Sequence, residues 1–397
     1  MCSWARAAKL GLGVLVVAGV LVLIGGVRVT AVAPARPMPL AAPAPFALDV
    51  VELRVAEITA SLSLEQQIAQ LMMVHCPSVD AASVSACLAA TGASGIILMG
   101  DNIGPDAASV AALTGALPQP AGVAPLVAID EEGGDVTRLP WDTLPGGSAL
   151  AAAPVAETTA AFAARAALLR EIGANVNFGV VADVTDDPHS FLFERVLGHT
   201  VEASAERVAA AVQAESGGAA SGSVRLASTL KHFPGHGAAS GNSHQVIPVD
   251  PSTIDEWRAG AALPFAAGIR EGAQLVMMSH VSVPSVDPAP ASLSARWHHV
   301  LRDELNFDGV IVTDDLLMLR ANGLPEFADP SMNALRALQA GSDLLLWVLP
   351  ADPGSVGVDL AAMIRQLADA VRSGQLDEQR VRESFERVLR LRLSLSE

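Results

Sequence analysis

Residues 307–318, FDGVIVTDDLLM, show most plainly which kind of fold this chain adopts. An apolar run rich in β-branched residues is bounded by Gly309 on one side and by Asp314 and Asp315 on the other. This is typical of a strand that is buried on both faces. Seven similar runs occur elsewhere, so the sequence predicts eight buried strands, at residues 70–75, 95–99, 125–130, 175–183, 226–232, 274–280, 309–314 and 343–347.

Segments with helical spacing lie between these runs. Apolar side chains recur every three or four positions in residues 158–171, 200–214 and 254–269, which indicates helices with one buried face. This alternation favours an α/β fold, a single closed (β/α)8 TIM-type barrel, over an open doubly wound sheet. No glycine-rich dinucleotide motif follows the first strand, which also disfavours the open sheet. A helix at residues 377–395 should complete the outer ring, so we expect residues 51–397 to form one barrel.

The composition is that of an acidic globular protein. The chain has 397 residues, of which 51% are hydrophobic, and its formal net charge is −17. A nucleic acid would be repelled at every phosphate by such a charge. No nucleic-acid partner is therefore expected.

The N-terminal segment, residues 1–33, is predicted to be a signal peptide or a membrane anchor. Residues 10–27 form an uninterrupted apolar run that follows Arg6 and Lys9 and is just long enough to span a bilayer. Ala31 and Ala33 offer a small-residue cleavage site. Two outcomes stay open: a protein anchored on the outer face of the cytoplasmic membrane, or a secreted one. Residues 34–50, rich in Ala and Pro, are predicted to be an extended linker.

The body after this linker contains two cysteines, Cys76 and Cys87. Export to an oxidising compartment would favour a disulfide between them. Two buried thiols are the alternative.

The densest cluster of polar residues is LKHFPGHGAASGNSHQVIP, residues 230–248, which begins at the end of a predicted strand. In TIM-type barrels the active site lies at the strand ends. Lys231 is the sole lysine after the leader, which suggests that a compact ammonium is needed where a guanidinium would not fit. A metal held by His232 and His236 is a competing hypothesis, but their spacing needs a helix that Pro234 prevents. We therefore expect no metal site.

Two further segments end strands with charged residues. Because side chains alternate along a strand, Asp314 and Asp315 should point in different directions, and one carboxylate at the barrel mouth could attack an anomeric carbon. A helix N-cap is the alternative role and suits Asp315 better than Asp314. In IDEEGGDVTR, residues 129–138, Asp130 and Arg138 should face the same mouth and could bind vicinal hydroxyl groups.

Taken together, KHFPGHG followed by Ser243 and His244, IDEEGG with an arginine four residues later, and GVIVTDDLLM resemble the N-terminal-type barrel of glycoside hydrolase family 3. The resemblance is to its β-N-acetylhexosaminidase (β-N-acetylglucosaminidase) branch. It implies that Asp314 is the nucleophile of a retaining mechanism and that His244 is the general acid/base. It also implies that no cofactor is needed and that N-acetylglucosamine is bound by Asp130, Arg138, Arg195, Lys231 and His232.

One position departs from the family pattern, because Asn242 stands where the family usually has aspartate. An aspartate would orient the His244 imidazole and stabilise its cation, whereas an amide carries no charge. We expect His244 to keep its place and to be a weaker base, unless Asp130 or an acid of residues 183–187 compensates.

The resulting expectation is a monomeric glycosidase whose substrate is an N-acetylglucosaminide. It would release terminal β-linked N-acetylglucosamine from cell-wall peptidoglycan fragments or related glycans. Two alternatives remain: a catalytically weakened sugar-binding or wall-associated protein, and a phosphorolytic N-acetylglucosaminidase.

Overall fold

The structure is a computed structural model that describes residues 50–216, 226–243 and 245–396. Within these ranges eight parallel strands form one sheet. All eight predicted strands are present, each shorter than or close to its predicted run: Met72–Val74 (β1), Gly95–Leu98 (β2), Leu126–Ile129 (β3), Val176–Val181 (β4), Ala227–Phe233 (β5), Leu275–Met278 (β6), Val310–Thr313 (β9) and Leu345–Trp347 (β10). The remaining two strands, Ser282–Val283 (β7) and Asp287–Pro290 (β8), form a separate antiparallel hairpin.

The sheet curls into a barrel. Neighbouring strands follow chain order from β1 to β6 and then β9, and β10 pairs with β1, where Met72 lies opposite Leu345. The last gap, between β9 and β10, is bridged by Val312 and Leu344, and the Thr313 N–H donates to the Leu344 carbonyl at 3.0 Å. The predicted closed (β/α)8 barrel is therefore confirmed for the described residues.

Helices connect the strands and surround the sheet. Those of the described ranges are Val50–Ser61 (α1), Leu64–Ala69 (α2), Ala81–Thr91 (α3), Ala107–Gly115 (α4), Gly147–Ala151 (α5), Val155–Glu171 (α6), Val201–Ser216 (α7), Ile254–Ala259 (α8), Ala262–Arg270 (α9), Ala295–His299 (α10), Leu317–Ala321 (α11), Pro330–Ala340 (α12), Leu360–Arg372 (α13) and Glu378–Ser394 (α14). The helix predicted over 254–269 is two helices, because the backbone at Gly260 leaves the helical region at φ −126° and ψ −99°. The predicted terminal helix corresponds to α14.

Alternation along the strands separates two apolar layers. One set of side chains fills the barrel interior and includes Met73, Ile97, Phe178, Val312 and Leu346. Their neighbours in sequence face outward and pack under the helices. The interior is thus a packed core, which leaves the mouth at the carboxyl ends of the strands as the place for a site.

Cys76 and Cys87 are joined by a disulfide. Cys76 follows β1 and is buried, and Cys87 lies in α3. The bond therefore ties the loop after β1 to the helix that follows it. Of the two alternatives left open by the sequence, the structure has the disulfide.

We expect that replacing both Cys76 and Cys87 by serine lowers the free energy of unfolding by about 3 kcal/mol, because the bond closes a short loop in the unfolded chain. Urea titration of the parent and the double variant measures the difference. The parent should also show no free thiol in these positions before reduction. Equal unfolding midpoints, or two titratable thiols in the unreduced parent, would contradict the pairing.

No helix in residues 50–216, 226–243 or 245–396 is long and apolar enough to cross a membrane. The apolar run at residues 10–27 and the linker at residues 34–49 lie outside the described residues. The anchor, the signal peptide and the linker therefore stay predictions.

Candidate active site

A cavity of about 160 Å³ opens at the carboxyl ends of the barrel strands. It is the place where the sequence-predicted site residues meet. Its lining consists of Asp130, Glu132, Val136, Arg138, Phe191, Arg195, Lys231, His232, His236, Ser243, Met277 and Asp314. All five predicted sugar-binding residues and the predicted nucleophile thus share one cavity.

Glu132 lies at the centre of the charges in this cavity. Its carboxylate accepts two hydrogen bonds from Arg195, at 2.9 Å from Nε and 2.7 Å from Nη2, and its Oε1 lies 2.6 Å from Lys231 Nζ. Burial alone would raise the pKa of Glu132, but the charges of Lys231 and Arg195 lower it to about 2. Glu132 is therefore ionised and holds both cations in place.

Asp130 joins the same network from the end of β3. Its Oδ1 accepts from Lys231 Nζ at 2.8 Å, and its Oδ2 lies 3.4 Å from Arg138 Nη2. Lys231 is 2% exposed. Burial alone would lower the pKa of Lys231, but the charges of Asp130 and Glu132 raise it overall. The single lysine of the body is thus a buried cation between two carboxylates.

Replacing Lys231 by arginine should lower kcat/KM at least about tenfold, although the charge is kept. A planar guanidinium cannot place one nitrogen within 2.8 Å of both Asp130 Oδ1 and Glu132 Oε1 in the space of an ammonium. Steady-state kinetics on a chromogenic glycoside measures the loss. As a control, Arg207→Lys changes a cation that bonds to backbone carbonyls outside the cavity. Parent-like kinetics for Lys231→Arg would show that the ammonium is not required.

Asp183 supports two histidines from below the cavity. Its Oδ2 lies 2.7 Å from His232 Nδ1, and its Oδ1 accepts the backbone N–H of His236 at 2.6 Å. Asp183 is fully buried; burial would raise its pKa, but His232 and His236 lower it. The Asp183 carboxylate can only accept, so His232 Nδ1 must carry the proton of this hydrogen bond. His232 Nε2 then faces a donor, because Arg195 Nη2 lies 3.4 Å from it. The peptide bond between Lys231 and His232 is cis, as is that between Phe233 and Pro234.

Asp314 and Asp315 point in different directions, as the sequence predicts. Asp314 lines the cavity, whereas Asp315 Oδ1 accepts from the backbone N–H groups of Leu317 and Val348, both at 3.1 Å. Burial raises the pKa of Asp315 to about 7. Burial would also raise the pKa of Asp314, but electrostatic interactions with His232, His280 and Lys231 lower it. At pH values below about 7 the two neighbours therefore differ in charge state, and the one that faces the cavity is the ionised carboxylate.

Glu131 points away from the cavity into a second buried cluster. Its Oε2 accepts from the backbone N–H of Arg138 at 2.9 Å and of Leu139 at 3.2 Å. Arg165 Nε donates to Asp142 at 2.8 Å in the same cluster. Burial, with a contribution from the Asp142 charge, raises the pKa of Glu131 to about 8. This protonated carboxyl holds the loop that carries Arg138.

The free energy of unfolding should contain a contribution from Glu131 that falls as pH rises from about 4.5 to about 8. In this window the folded protein keeps a proton that the unfolded chain has lost, and the raised pKa therefore opposes folding. Glu131→Gln removes this contribution, so its stability relative to the parent should increase with pH. Urea titrations at pH 5 and 8 measure the trend, and the exposed Glu157→Gln is the control. A stability difference that is independent of pH would contradict the assignment.

The loop with the predicted acid/base is only partly described. Asn242 lies on the lining of a larger cavity of about 940 Å³, while the neighbouring Ser243 lines the smaller one. The two cavities share Phe191. His244 lies outside the described residues, so its role and the effect of Asn242 stay predictions. Among the residues that the structure describes, no group of three or more His, Cys, Asp or Glu is arranged to hold a metal ion.

Sequence reasoning assigned no role to Glu132 and gave Asp183 only a conditional one. The alternation of side chains was a usable signal for Glu132, because it places residues 130 and 132 on one side of an extended chain and 131 on the other. The partner of Glu132 is Arg195, which is 63 residues away in sequence. No local pattern indicates that contact.

Other strand-end residues serve the fold rather than the cavity. His75 Nε2 lies 2.8 Å from Asp101 Oδ1, and Asn102 donates to the carbonyls of Cys76 and Ser78. None of these residues lines the smaller cavity. Not every polar residue at a strand end is therefore part of the site.

Comparison with known proteins agrees with this geometry. Residues 63–391 match the model of the glycosyl hydrolase family 3 N-terminal domain. The beta-hexosaminidase LpqI of Mycobacterium tuberculosis is 32% identical over 354 residues, which are 84% of this chain and 84% of that protein. A beta-hexosaminidase of Methylococcus capsulatus is 37% identical over 233 residues, which are 56% of this chain and 66% of that protein.

Solved structures agree as well. The family 3 beta-N-acetylglucosaminidase of a Paenibacillus species superposes with a TM-score of 0.75 at 31% identity, covering 84% of this chain and 63% of that chain. The match thus spans about two thirds of the length of the Methylococcus protein and of the Paenibacillus chain. The barrel, the charged cavity at its mouth and these matches together show that the chain belongs to glycosyl hydrolase family 3, in the branch of the β-N-acetylhexosaminidases, and is a glycosidase.

Proposed function

We propose that the protein releases terminal β-linked N-acetylglucosamine from a glycan with retention of configuration at the anomeric carbon. The observation that carries this proposal is Asp314, an ionised carboxylate in a cavity that it shares with the five predicted sugar-binding residues and Glu132. The likeness to beta-hexosaminidases supports the choice of sugar.

The first step is an attack by Asp314 on the anomeric carbon. The carbon–oxygen bond to the rest of the glycan breaks, a glycosyl ester forms on Asp314, and His244 gives a proton to the leaving oxygen. In the second step water attacks the same carbon while His244 takes its proton, and Asp314 leaves as a carboxylate. Two inversions give net retention.

The charged network would hold the sugar through its hydroxyl groups. Lys231 and Arg195 present donors that Glu132 fixes, and Asp130 presents acceptors. Hydrogen bonds between ionised groups and hydroxyls are stronger than neutral ones. The cavity of about 160 Å³ has the size expected of a site for one sugar residue. The larger cavity beyond Phe191 offers room for the rest of the glycan.

The test is turnover of a chromogenic β-N-acetylglucosaminide by the purified chain, compared with the matching β-glucoside and with the α-anomer. We expect turnover of the first, and proton NMR should show the β-anomer of free N-acetylglucosamine as the first product. An α-anomer formed first, or a preference for the glucoside, would contradict the proposal.

Asn242 favours a second candidate, a chain with weakened hydrolysis that passes the sugar to phosphate or only binds it. An amide beside His244 lacks the charge that would stabilise the imidazolium. Assays with and without phosphate, on the parent and on Asn242→Asp, separate the candidates. A parent that is slow in water, accelerates in phosphate and gains hydrolysis with Asn242→Asp would favour phosphorolysis. Binding without turnover in either form would favour a sugar-binding protein.

We further propose that the chain is exported as a monomer, is tethered to the membrane by residues 10–27 or released by cleavage, and acts on cell-wall peptidoglycan fragments. The apolar run and the Ala/Pro linker support this location. Fractionation of cells followed by N-terminal sequencing of the mature protein distinguishes anchor from signal. Recovery of the protein from the cytoplasm with its leader intact would contradict export.

A further inference from the structure

His280 is a buried histidine that lies next to the nucleophile without lining the cavity. It follows β6, is fully buried, and both of its ring nitrogens have partners. Nδ1 lies 2.7 Å from the Ser292 hydroxyl, and Nε2 lies 2.9 Å from the backbone carbonyl of Asp315. Because a carbonyl only accepts, the proton must be on Nε2, which donates to Asp315.

This bond continues the strand pairing beyond the point where the sheet ends. The last regular contact between β6 and β9 joins Met278 and Thr313, and the Asp314 N–H then donates to the Met278 carbonyl at 2.9 Å. The next rung is made by the His280 ring and not by backbone. The peptide that links Asp315 to Leu316, one residue beyond the nucleophile, is thus held from the β6 side by a side chain.

The other side of the same segment is held from β10. The Asp315 carboxyl accepts from the Val348 N–H at 3.1 Å, and the Leu316 N–H donates to the Leu346 carbonyl at 3.1 Å. The Asp315 N–H then donates to Asp314 Oδ1 at 2.8 Å. Asp315, whose N–H binds one oxygen of the nucleophile, is therefore held through its carboxyl group and through the peptide that follows it. Oδ2 of Asp314 is the oxygen outside the bond to the Asp315 N–H.

We propose that His280, oriented by Ser292, is a positioning residue for the nucleophile: it anchors the Asp315 carbonyl so that the Asp315 N–H holds Asp314 Oδ1 and leaves Oδ2 directed at the anomeric carbon. Ser292 is fully buried, and its own N–H donates to the Ser279 carbonyl at 2.9 Å, so the hydroxyl that orients the ring is rigidly placed. The inference rests on the proposed function, in which Asp314 attacks the sugar.

The test compares His280→Phe, which keeps a ring but removes the donor, with His280→Gln, which restores a donor for the Asp315 carbonyl. Because misplacing a reacting group by about 1 Å costs about 10²-fold in rate, we expect His280→Phe to lower kcat by about 30- to 100-fold while KM changes less than about twofold. His280→Gln should recover about tenfold of the lost kcat.

His298 offers a matched control. It is also buried, with one nitrogen 2.8 Å from the Ser294 carbonyl and the other 2.9 Å from the Ser342 hydroxyl, but Ser342 precedes β10 at the opposite end of the barrel. His298→Phe should lower stability and leave kcat unchanged in the folded protein. Equal losses of kcat in His298→Phe and His280→Phe would reduce His280 to a general packing role.

Crystal structures of the parent, His280→Phe and His280→Gln test the inference even if the substrate has been misjudged. We expect the Asp314 carboxylate to rotate away from the Asp315 N–H in His280→Phe and to keep the parent orientation in His280→Gln. An unchanged Asp314 in His280→Phe would overturn the inference whatever the activity. A parent that turns over no N-acetylglucosaminide, with Asp314 displaced as expected, would contradict the proposed function and leave the positioning role supported.

Discussion

Replacing Asp314 by asparagine should abolish turnover, with a loss in kcat of about 10³-fold or more, because an amide cannot form the glycosyl ester that the proposed mechanism assigns to Asp314. Asparagine keeps the size of the side chain and its acceptor for the Asp315 N–H. The fold should therefore survive, and the melting temperature should stay within a few degrees of that of the parent. Steady-state kinetics and thermal unfolding measure the two effects.

The control for this variant is Asp315→Asn. Asp315 is bonded to the backbone of Leu317 and Val348 and does not line the cavity. We expect its loss in kcat to be much smaller than that of Asp314→Asn. If Asp314→Asn retains turnover, or if Asp315→Asn loses as much, the nucleophile has been assigned to the wrong carboxylate.

As the pH is lowered, other groups should be protonated before Asp314 is. Its pKa lies below the ordinary value of 3.8, because interactions with His232, His280 and Lys231 outweigh burial. An acidic limb of the kcat/KM profile above about pH 4 must then belong to another group, or to loss of the fold. The folded-state pKa values of buried carboxylates such as Glu132 and Asp183 are lowered, so these groups stabilise the fold fully above their unfolded pKa values. This contribution is lost as pH falls from the unfolded pKa values through the lowered folded-state values.

Replacing Glu132 by glutamine should have the second largest effect, on stability and on kcat/KM together. Glu132 is the shared partner of Lys231 and Arg195, and removing its charge leaves two buried cations with less compensation. Loss of one partner of a buried ion pair costs about 3–5 kcal/mol. We also expect kcat/KM to fall at least about 10²-fold, because both donors to the sugar lose their position.

Urea titration and steady-state kinetics measure the effects of Glu132→Gln. Glu194→Gln is the matched control, since Glu194 precedes Arg195 in sequence and is exposed. That variant should behave like the parent in both measurements. A Glu132→Gln protein that is as stable and as active as the parent would mean that Asp130 alone holds the cations.

Local sequence patterns were sufficient to predict the barrel. Each strand is an apolar run that ends in polar residues, as in GVIVTDD, and the predicted strands match those of the structure. The hairpin of β7 and β8 was missed because its strands are short and the prolines of β8 interrupt the strand pattern. The break at Gly260 was missed because apolar spacing continues across it.

Site residues could be predicted where the residue type is unusual for its position in the sequence. They could not be predicted where the role of the residue depends on partners that are distant in sequence. Lys231 stands out as the body's single lysine, and Asp314 as an acid at the end of a buried strand. Glu132 and His280 are ordinary in sequence, and their partners Arg195 and Asp315 lie 63 and 35 residues away. Contacts at these separations exist only once the barrel brings the strand ends together.

The most direct test of the account is covalent trapping of the nucleophile. The parent is incubated with a slow, fluorinated N-acetylglucosaminyl donor, digested with trypsin and analysed by mass spectrometry. We predict one added sugar on the peptide of residues 303–320, located by fragmentation at Asp314, and no label on that peptide in Asp314→Asn. A label on Asp315 or outside this peptide, or turnover of the donor without any covalent species, would contradict the claim that Asp314 attacks the sugar.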